Sequence, residues 1–443
     1  MRRRDFLKAG LCGLAGGALP LYADGMGDKA LRVALIGTGW YGKVDLFRLL
    51  QVAPVEVAAL CDVYRPRLEQ AGALTAARQV SGKTPALYGD WRELLDREKL
   101  DLVLIDTPDH WHALPTVAAL KKGISVWVQK PIGVDVAECR AMTEAARGSG
   151  AATQVGLQRR STPHLIDVKE KFFDSGRLGK IAQVDIFSYY GMGDVNEEAQ
   201  VPPEGFDYEM WTGPAPMRPF YPLKASGGWR QFMEYGNGTL GDMGVHMFDM
   251  TRWLMGLGWP RRVLSAGGRY VHTRGVQTIS DTQTVVFGYD GLNVIWNHRH
   301  WGVLPDPSYP WGAYFHGENG LLKVSVLRWD FIPKDRNEPA ESGEVVYEHD
   351  QYPADKEEER VELFAAPAIR RQMKDLLAGI SEGKKTVCPI EEGAISSASC
   401  ILGNMSMSLG RTLEWDPETW TVVNDDEANA LLARGYREGW VHP

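Results

Sequence analysis

The segment Leu31-Arg32-Val33-Ala34-Leu35-Ile36 is apolar at nearly every position and does not alternate. A strand buried on both faces of a parallel sheet reads this way. Comparable runs recur at residues 55–61, 100–105 and 125–128, residues 152–156 read as a last strand leaving the domain, and residues 43–50, 91–97, 116–122 and 134–148 read as helices between them. Alternating strands and helices predict an N-terminal doubly wound Rossmann domain over residues 29–155. From about Gly156 the pattern changes. Strand candidates at 180–189, 262–272, 282–288, 293–300, 312–316 and 321–327 follow one another with turns between them. They predict a C-terminal α/β domain, residues 156–443, built on a large, mostly antiparallel open sheet. An insertion rich in aromatic residues and glycine, 191–240, interrupts it, and loops this long usually carry function. Residues 363–379 read as an amphipathic helix, 355–360 as a solvated charged link before it, and the stretch from Trp415 to Trp440 as a tail packed on the body.

The ends of the predicted parallel strands carry the chemistry. The first runs into Gly37-Thr38-Gly39-Trp40-Tyr41-Gly42. Gly37 permits the tight turn, Gly39 lets backbone approach a pyrophosphate, and Gly42 lets helix pack on strand. Trp40 and Tyr41 fall at the helix start, whose amides face the phosphates. The second strand ends at Asp62, placed to accept both ribose hydroxyls and to repel a 2′-phosphate, so NAD is expected and NADP disfavoured. The third ends in Thr107-Pro108-Asp109-His110-Trp111-His112 and the fourth in Gln129-Lys130-Pro131. Ligands of an open parallel sheet sit beyond these ends, so Thr107, Pro108, His112, Gln129 and Lys130 are candidates for the nicotinamide end.

In the second half, Asp242 and His246 lie four residues apart on one predicted helix face. A carboxylate there can hold the tautomer of a histidine that moves protons; a helix cap beside a core histidine would show the same spacing. Lys130 suits an alcohol whose hydroxyl proton leaves with the hydride, and Lys130 and His246 could exchange roles. Arg159, Trp211, Trp229 and Arg230 are candidates for sugar faces and hydroxyls, or for packing. His110 and His112 show no third ligand, so no metal is expected; His298 and His300 read as structural.

Composition narrows the partners. The net charge of −8 lacks the Lys/Arg clusters a nucleic acid needs. The five cysteines show no metal spacing, and a Cys388–Cys400 disulfide has no support beyond both being present. Residues 1–28 form a basic start and a short apolar run; Arg3-Arg4-Asp5-Phe6-Leu7-Lys8 resembles a twin-arginine signal. Export to the periplasm or beyond is expected, with no membrane insertion afterwards.

The Rossmann glycines, residues 107–112, Gln129-Lys130-Pro131, residues 154–160 and Gly241-Asp242-Met243-Gly244-Val245-His246 together resemble the Gfo/Idh/MocA family of sugar- and inositol-type oxidoreductases. The family's lysine motif begins with glutamate, here Gln129. The resemblance implies Lys130, Asp242 and His246 as its catalytic set, a small-molecule carbohydrate substrate and a homo-oligomer. Export favours an oxidoreductase that retains its NAD, since little free nucleotide exists outside the cytoplasm. A redox-neutral glycoside hydrolase, a dehydrogenase exchanging NAD and a non-catalytic sugar- or nucleotide-binding protein are the alternatives.

Overall fold

The computed structural model describes residues 30–191, 193–221, 228–358 and 360–443. The expected export signal therefore lies outside the described residues. Among the described residues no helix is long and apolar enough to cross a membrane.

Six strands form the first sheet: β1 (Arg32–Ile36), β2 (Glu56–Cys61), β3 (Ala86–Tyr88), β4 (Leu102–Ile105), β5 (Ser125–Val128) and β6 (Thr153–Val155). Their order is β3-β2-β1-β4-β5-β6, all parallel. The chain leaves β1 outward in both directions, so the crevice beyond the carboxyl ends opens between β1 and β4. Val33, Ala34, Leu35 and Leu102 through Ile105 are fully buried, as uninterrupted apolar runs require.

The second sheet has ten strands: β7 (Ile181–Ser188), β8 (Arg262–Gly268), β9 (Thr282–Tyr289), β10 (Leu292–Arg299), β11 (Trp311–Gly317), β12 (Gly320–Ser325), β13 (Arg328–Pro333), β14 (Glu341–Glu344), β15 (Leu413–Asp416) and β16 (Thr421–Val422). Their order is β14-β13-β12-β11-β7-β10-β9-β8-β15-β16, antiparallel except for the β7–β10 pair. Along β10 the burial alternates, and the inner positions Val294, Trp296 and His298 face the helices at residues 245–255 and 390–409.

Three returns tie the two sheets together. The helix Ala366–Glu382 packs Ile369, Met373, Leu376 and Leu377 against Leu46, Leu49 and Trp127 of the first domain. The segment before it is exposed at Lys356, Glu357 and Arg360, as a solvated link should be, but Asp355 is 2% exposed and bonds Arg370 at 2.7 Å, with Arg48 at 3.3 Å. Two cations with no access to water demand an acid, and Asp355 with Glu358 supplies it. The tail crosses back as well, with the Trp440 ring edge-on to Trp111 at 4.9 Å. Cys61, Cys139, Cys388 and Cys400 are buried free thiols, so Cys388 and Cys400 form no disulfide.

Candidate active site

One cleft of about 1480 Å³ runs from the glycine loop, past the ends of β4 and β5, to the inserted segment of the second domain. Its first wall is made by sequence-local steric facts. Gly37 has φ +96°, and a Cβ there would meet the Asp106 carbonyl at 2.5 Å. A Cβ on Gly42 would lie 2.0 Å from the Gly37 carbonyl, whereas one on Gly39 would meet nothing within 4 Å. The loop is therefore closed against the sheet and open toward the cleft at Gly39. The helix Trp40–Val52 that follows has no side-chain cap and no acid in its first turn. Its amides are left for an anion, as a pyrophosphate requires. Asp62 holds this loop from β2: its Oδ2 accepts from the Thr38 amide and hydroxyl at 2.9 Å each, and its Oδ1 from the Tyr64 amide at 2.9 Å. Thr38 thus joins the site although its side chain is not part of the glycine spacing. These residues fit a dinucleotide.

Trp40 and Tyr41 turn away from β1 toward the second domain, where the Trp40 indole donates to the Arg360 carbonyl and the Tyr41 hydroxyl accepts from Gln158. Thr107 and Pro108 line the cleft. His112 reaches its wall, but both ring nitrogens face backbone carbonyls, of Pro131 at 2.6 Å and Thr107 at 2.8 Å. Burial first, then the Lys130 and Arg230 cations, push its pKa down to about 4. The neutral ring has one N–H to share between these carbonyls. His112 therefore ties the two strand-end turns together while lining the cleft.

Gln129 also lines the cleft. Its amide points behind the cleft, donating to Asp45 at 2.6 Å and accepting from the Lys130 amide at 3.2 Å, where Gly156 leaves it room. Asp45 and Asp106 form a buried carboxyl pair, and burial raises both. An acid thus still stands behind the lysine turn, supplied by a different helix.

Lys130 crosses the cleft. Its Nζ donates to Asp242 Oδ1 at 2.6 Å and to the Asp242 carbonyl at 2.9 Å, and Arg230 reaches the same carboxylate at 3.2 Å. Burial alone would raise the Asp242 pKa, but Lys130 and then Arg230 outweigh it and hold the group at about 2. Asp242 was expected to orient His246; instead it serves Lys130 and Arg230. Residues 240–244 form a wide π turn ahead of the helix Val245–Met255, and two cations compete for the carboxylate better than a neutral ring. His246 shares the cleft, with Nδ1 buried and unpartnered and the Trp311 ring edge-on at 5.5 Å. Burial, Lys130 and Arg159 push its pKa well below the ordinary value, so the imidazole is neutral.

The remaining expected residues all line the cleft. Arg159 is 2% exposed, its Nε and Nη1 have no hydrogen-bond partner among the described residues, and its guanidinium lies over Trp311 at 5.1 Å. Trp229 stacks under Arg230 at 4.2 Å. Trp211 packs on Tyr208 and Tyr235, and its carbonyl receives the Trp111 indole at 2.8 Å and faces His110 Nε2 at 3.0 Å. His300 lines the cleft, and His298 stacks behind it.

A strap closes the outer side. Phe206 bridges to Tyr64, the Asp207 amide donates to the Val63 carbonyl at 2.9 Å, and the Arg65 amide donates to the Gly205 carbonyl at 2.9 Å. The tail fastens the strap, with Arg437 on the Gly213 carbonyl at 2.9 Å and the Glu209 carbonyl at 3.1 Å, while Arg434 holds the Met233 carbonyl at 2.6 Å.

Residues 31–157 match the NAD-binding Rossmann fold of an oxidoreductase family, and residues 171–290 and 335–442 match the C-terminal α/β domain of the same family. A glycosyl hydrolase family 109 protein of Stenotrophomonas maltophilia is 34% identical over 141 residues, which is 30% of each chain. An inositol 2-dehydrogenase/D-chiro-inositol 3-dehydrogenase of Lactiplantibacillus plantarum is 28% identical over 35% of this chain and 43% of the relative. The chain thus spans less than half the length of these curated relatives. An oxidoreductase from Agrobacterium radiobacter, solved with NAD+, L-tartaric acid and magnesium, shares the fold with a TM-score of 0.66 at 16% identity, over 87% of this chain and 98% of that one.

Proposed function

The chain belongs to the Gfo/Idh/MocA oxidoreductase family, with that family's NAD-binding Rossmann domain, and from that premise we propose that it oxidises a hydroxyl of a sugar or cyclic polyol while keeping its NAD bound. The observation that carries this reading is the Lys130–Asp242 pair, 2.6 Å across the cleft, with the neutral His246 beside it.

The glycine loop, the uncapped helix start and Asp62 would hold the dinucleotide, which supplies hydride uptake and return. Lys130, pinned by Asp242, presents N–H donors to the substrate oxygen and stabilises negative charge as it develops there. His246 takes the hydroxyl proton: its ring lines the cleft and is neutral, so one ring nitrogen can accept it. Asp242 fixes Lys130 and Arg230, and the aromatic wall excludes water.

Retention is supported by the strap, which bonds residues 63–65 beyond β2, and by Asp355 and Glu358, which hold Arg48 of the helix that follows the glycine loop. It accords with export by the twin-arginine route to the periplasm, folded and already loaded, and a homo-oligomer follows from the family resemblance. A second reading, the redox-neutral glycoside hydrolase, is favoured by the name of the Stenotrophomonas relative.

The test is an assay without added nucleotide, on inositols, aldoses and aryl glycosides. Reduction of the protein's own nicotinamide by a polyol or aldose supports the first reading, and release of the aryl group supports the second. Unchanged turnover in Lys130→Ala would sink both.

A further inference from the structure

Asp109 is a group the proton chemistry above does not use. It follows Thr107-Pro108 beyond the end of β4, lines the cleft and is 5% exposed. Among the described residues no hydrogen bond or ion pair reaches its carboxyl. The charges around it are spent elsewhere. Lys130 and Arg230 are bound to Asp242, and Arg434 is bound to the Met233 and Gly236 carbonyls and to Asn237. His110 and His112 on its own turn are neutral. Gly236 makes room for it: a Cβ there would lie 3.1 Å from Asp109 Oδ2 and 3.4 Å from the Trp229 ring.

A carboxyl in this position has unmet capacity to donate and to accept, in a place where leaving it unmet is expensive. Burial is the main force pushing its pKa up, to about 8; Asp242 adds repulsion, while Arg230, Lys130 and Arg434 oppose. At neutral pH it therefore carries its proton. A carboxylic acid that can give one hydrogen bond and accept another is matched by a hydroxyl, which does the same. An anionic ligand group would offer only acceptors, and would meet the Asp242 charge nearby.

We propose that Asp109 recognises a second hydroxyl of the substrate, one that is not oxidised, and so selects a neutral diol or polyol over a substrate bearing an acid at that position. The inference rests on reading the cleft as a hydroxyl-oxidising site. Lys130 and His246 act on the reacting oxygen; Asp109 fixes which neighbour of that oxygen the cleft accepts.

The test uses the holoprotein and glycerol, a probe small enough to reach any hydroxyl site. Infrared difference spectra of wild type against Asp109→Asn should show, at pH 7, the carbonyl band of an un-ionised acid that only the wild type has. The band should shift when glycerol is added and fade as pH rises through about 8. No such band, or a band indifferent to saturating glycerol, overturns the proposal, and neither result depends on turnover. With a polyol that reduces the bound nicotinamide, Asp109→Ala should raise KM about tenfold to a hundredfold with kcat nearly unchanged, the loss of one or two hydrogen bonds. Asp109→Asn should recover most of that, with a KM that no longer rises at alkaline pH. A fall in kcat at constant KM would also overturn the assignment. Failure of the parent reading looks different: Lys130→Ala would keep its turnover while the glycerol-sensitive band remained.

Discussion

The two walls of the cleft are built in opposite ways. The dinucleotide wall comes from consecutive residues: β1, the loop Gly37 to Gly42 and a helix start, with Asp62 arriving from the adjacent strand. The substrate wall is assembled from remote pieces, including Lys130, the strap at 203–212, Asp242 and His246, the segment 355–364 and the tail at 434–442. In the first, backbone sterics set the geometry. In the second, charge pairs and aromatic packing between distant segments set it. A local wall can hold one invariant ligand, whereas a wall of separate parts can change one part without losing the rest.

The sharpest way to break this comparison is to remove the charge that crosses between the walls. Lys130→Ala should lower turnover by about a hundredfold to a thousandfold, as loss of a donor to the developing oxyanion does, with nucleotide content unchanged by absorbance of the purified protein. Parallel loss of nucleotide would mean that the walls are not separable. The next effect belongs to the glycines. Gly42→Ala, with its Cβ 2.0 Å from a carbonyl, should destabilise the fold by about 2–3 kcal/mol in urea unfolding and lose NAD. Gly39→Ala should fold normally and lose NAD alone, since its Cβ points into open cleft. Equal unfolding midpoints for the two would contradict the steric account.

Smaller again is the strap. Arg437→Ala removes the bond to the Gly213 carbonyl and should speed NAD release about tenfold in a dilution experiment, one hydrogen bond's worth. The smallest effect is a pH dependence. Burial holds the His110 pKa at about 4, against 6.5 for an ordinary histidine. Between those values the unfolded chain binds the extra proton, so this group withdraws stability as pH falls from 6.5 toward 4. His110→Gln should lose less stability than wild type over that window, by at most about 3 kcal/mol, read by urea unfolding at each pH.

How far the sequence could be read follows the same division. β1, β2, β4 and β5 were legible because strands buried on both faces are largely apolar. The helix Arg65–Arg78 was not, because its buried face is thin: Leu68, Ala71, Gly72 and Thr75. The helix Ile390–Leu409 was hidden for the opposite reason. Serine, alanine and glycine are buried around much of its circumference, leaving no apolar stripe to count. At the site, Lys130, Asp242 and His246 were recognisable as residues, but their pairing was not. Spacing within one helix suggested Asp242 with His246, and only the fold brings Lys130 and Arg230 to that carboxylate. The strength with which Asp355 would be buried was equally invisible, since Arg48 lies far from it along the chain and only the fold turns Arg370 toward it. Asp109 stood in view within a recognised motif, yet nothing in the sequence marks a carboxyl as lacking a partner.

The central claim is that this cleft passes a hydride between a retained NAD and a substrate hydroxyl beside Lys130. A single-turnover experiment tests it most directly: purified protein, no added nucleotide, a panel of inositols and aldoses, and absorbance of the reduced nicotinamide followed in time. The account predicts that the signal rises to about one equivalent per nucleotide bound in wild type and rises at least about a hundredfold more slowly in Lys130→Ala. Protein that carries no nucleotide as purified, or a Lys130→Ala trace that overlays wild type, would contradict it.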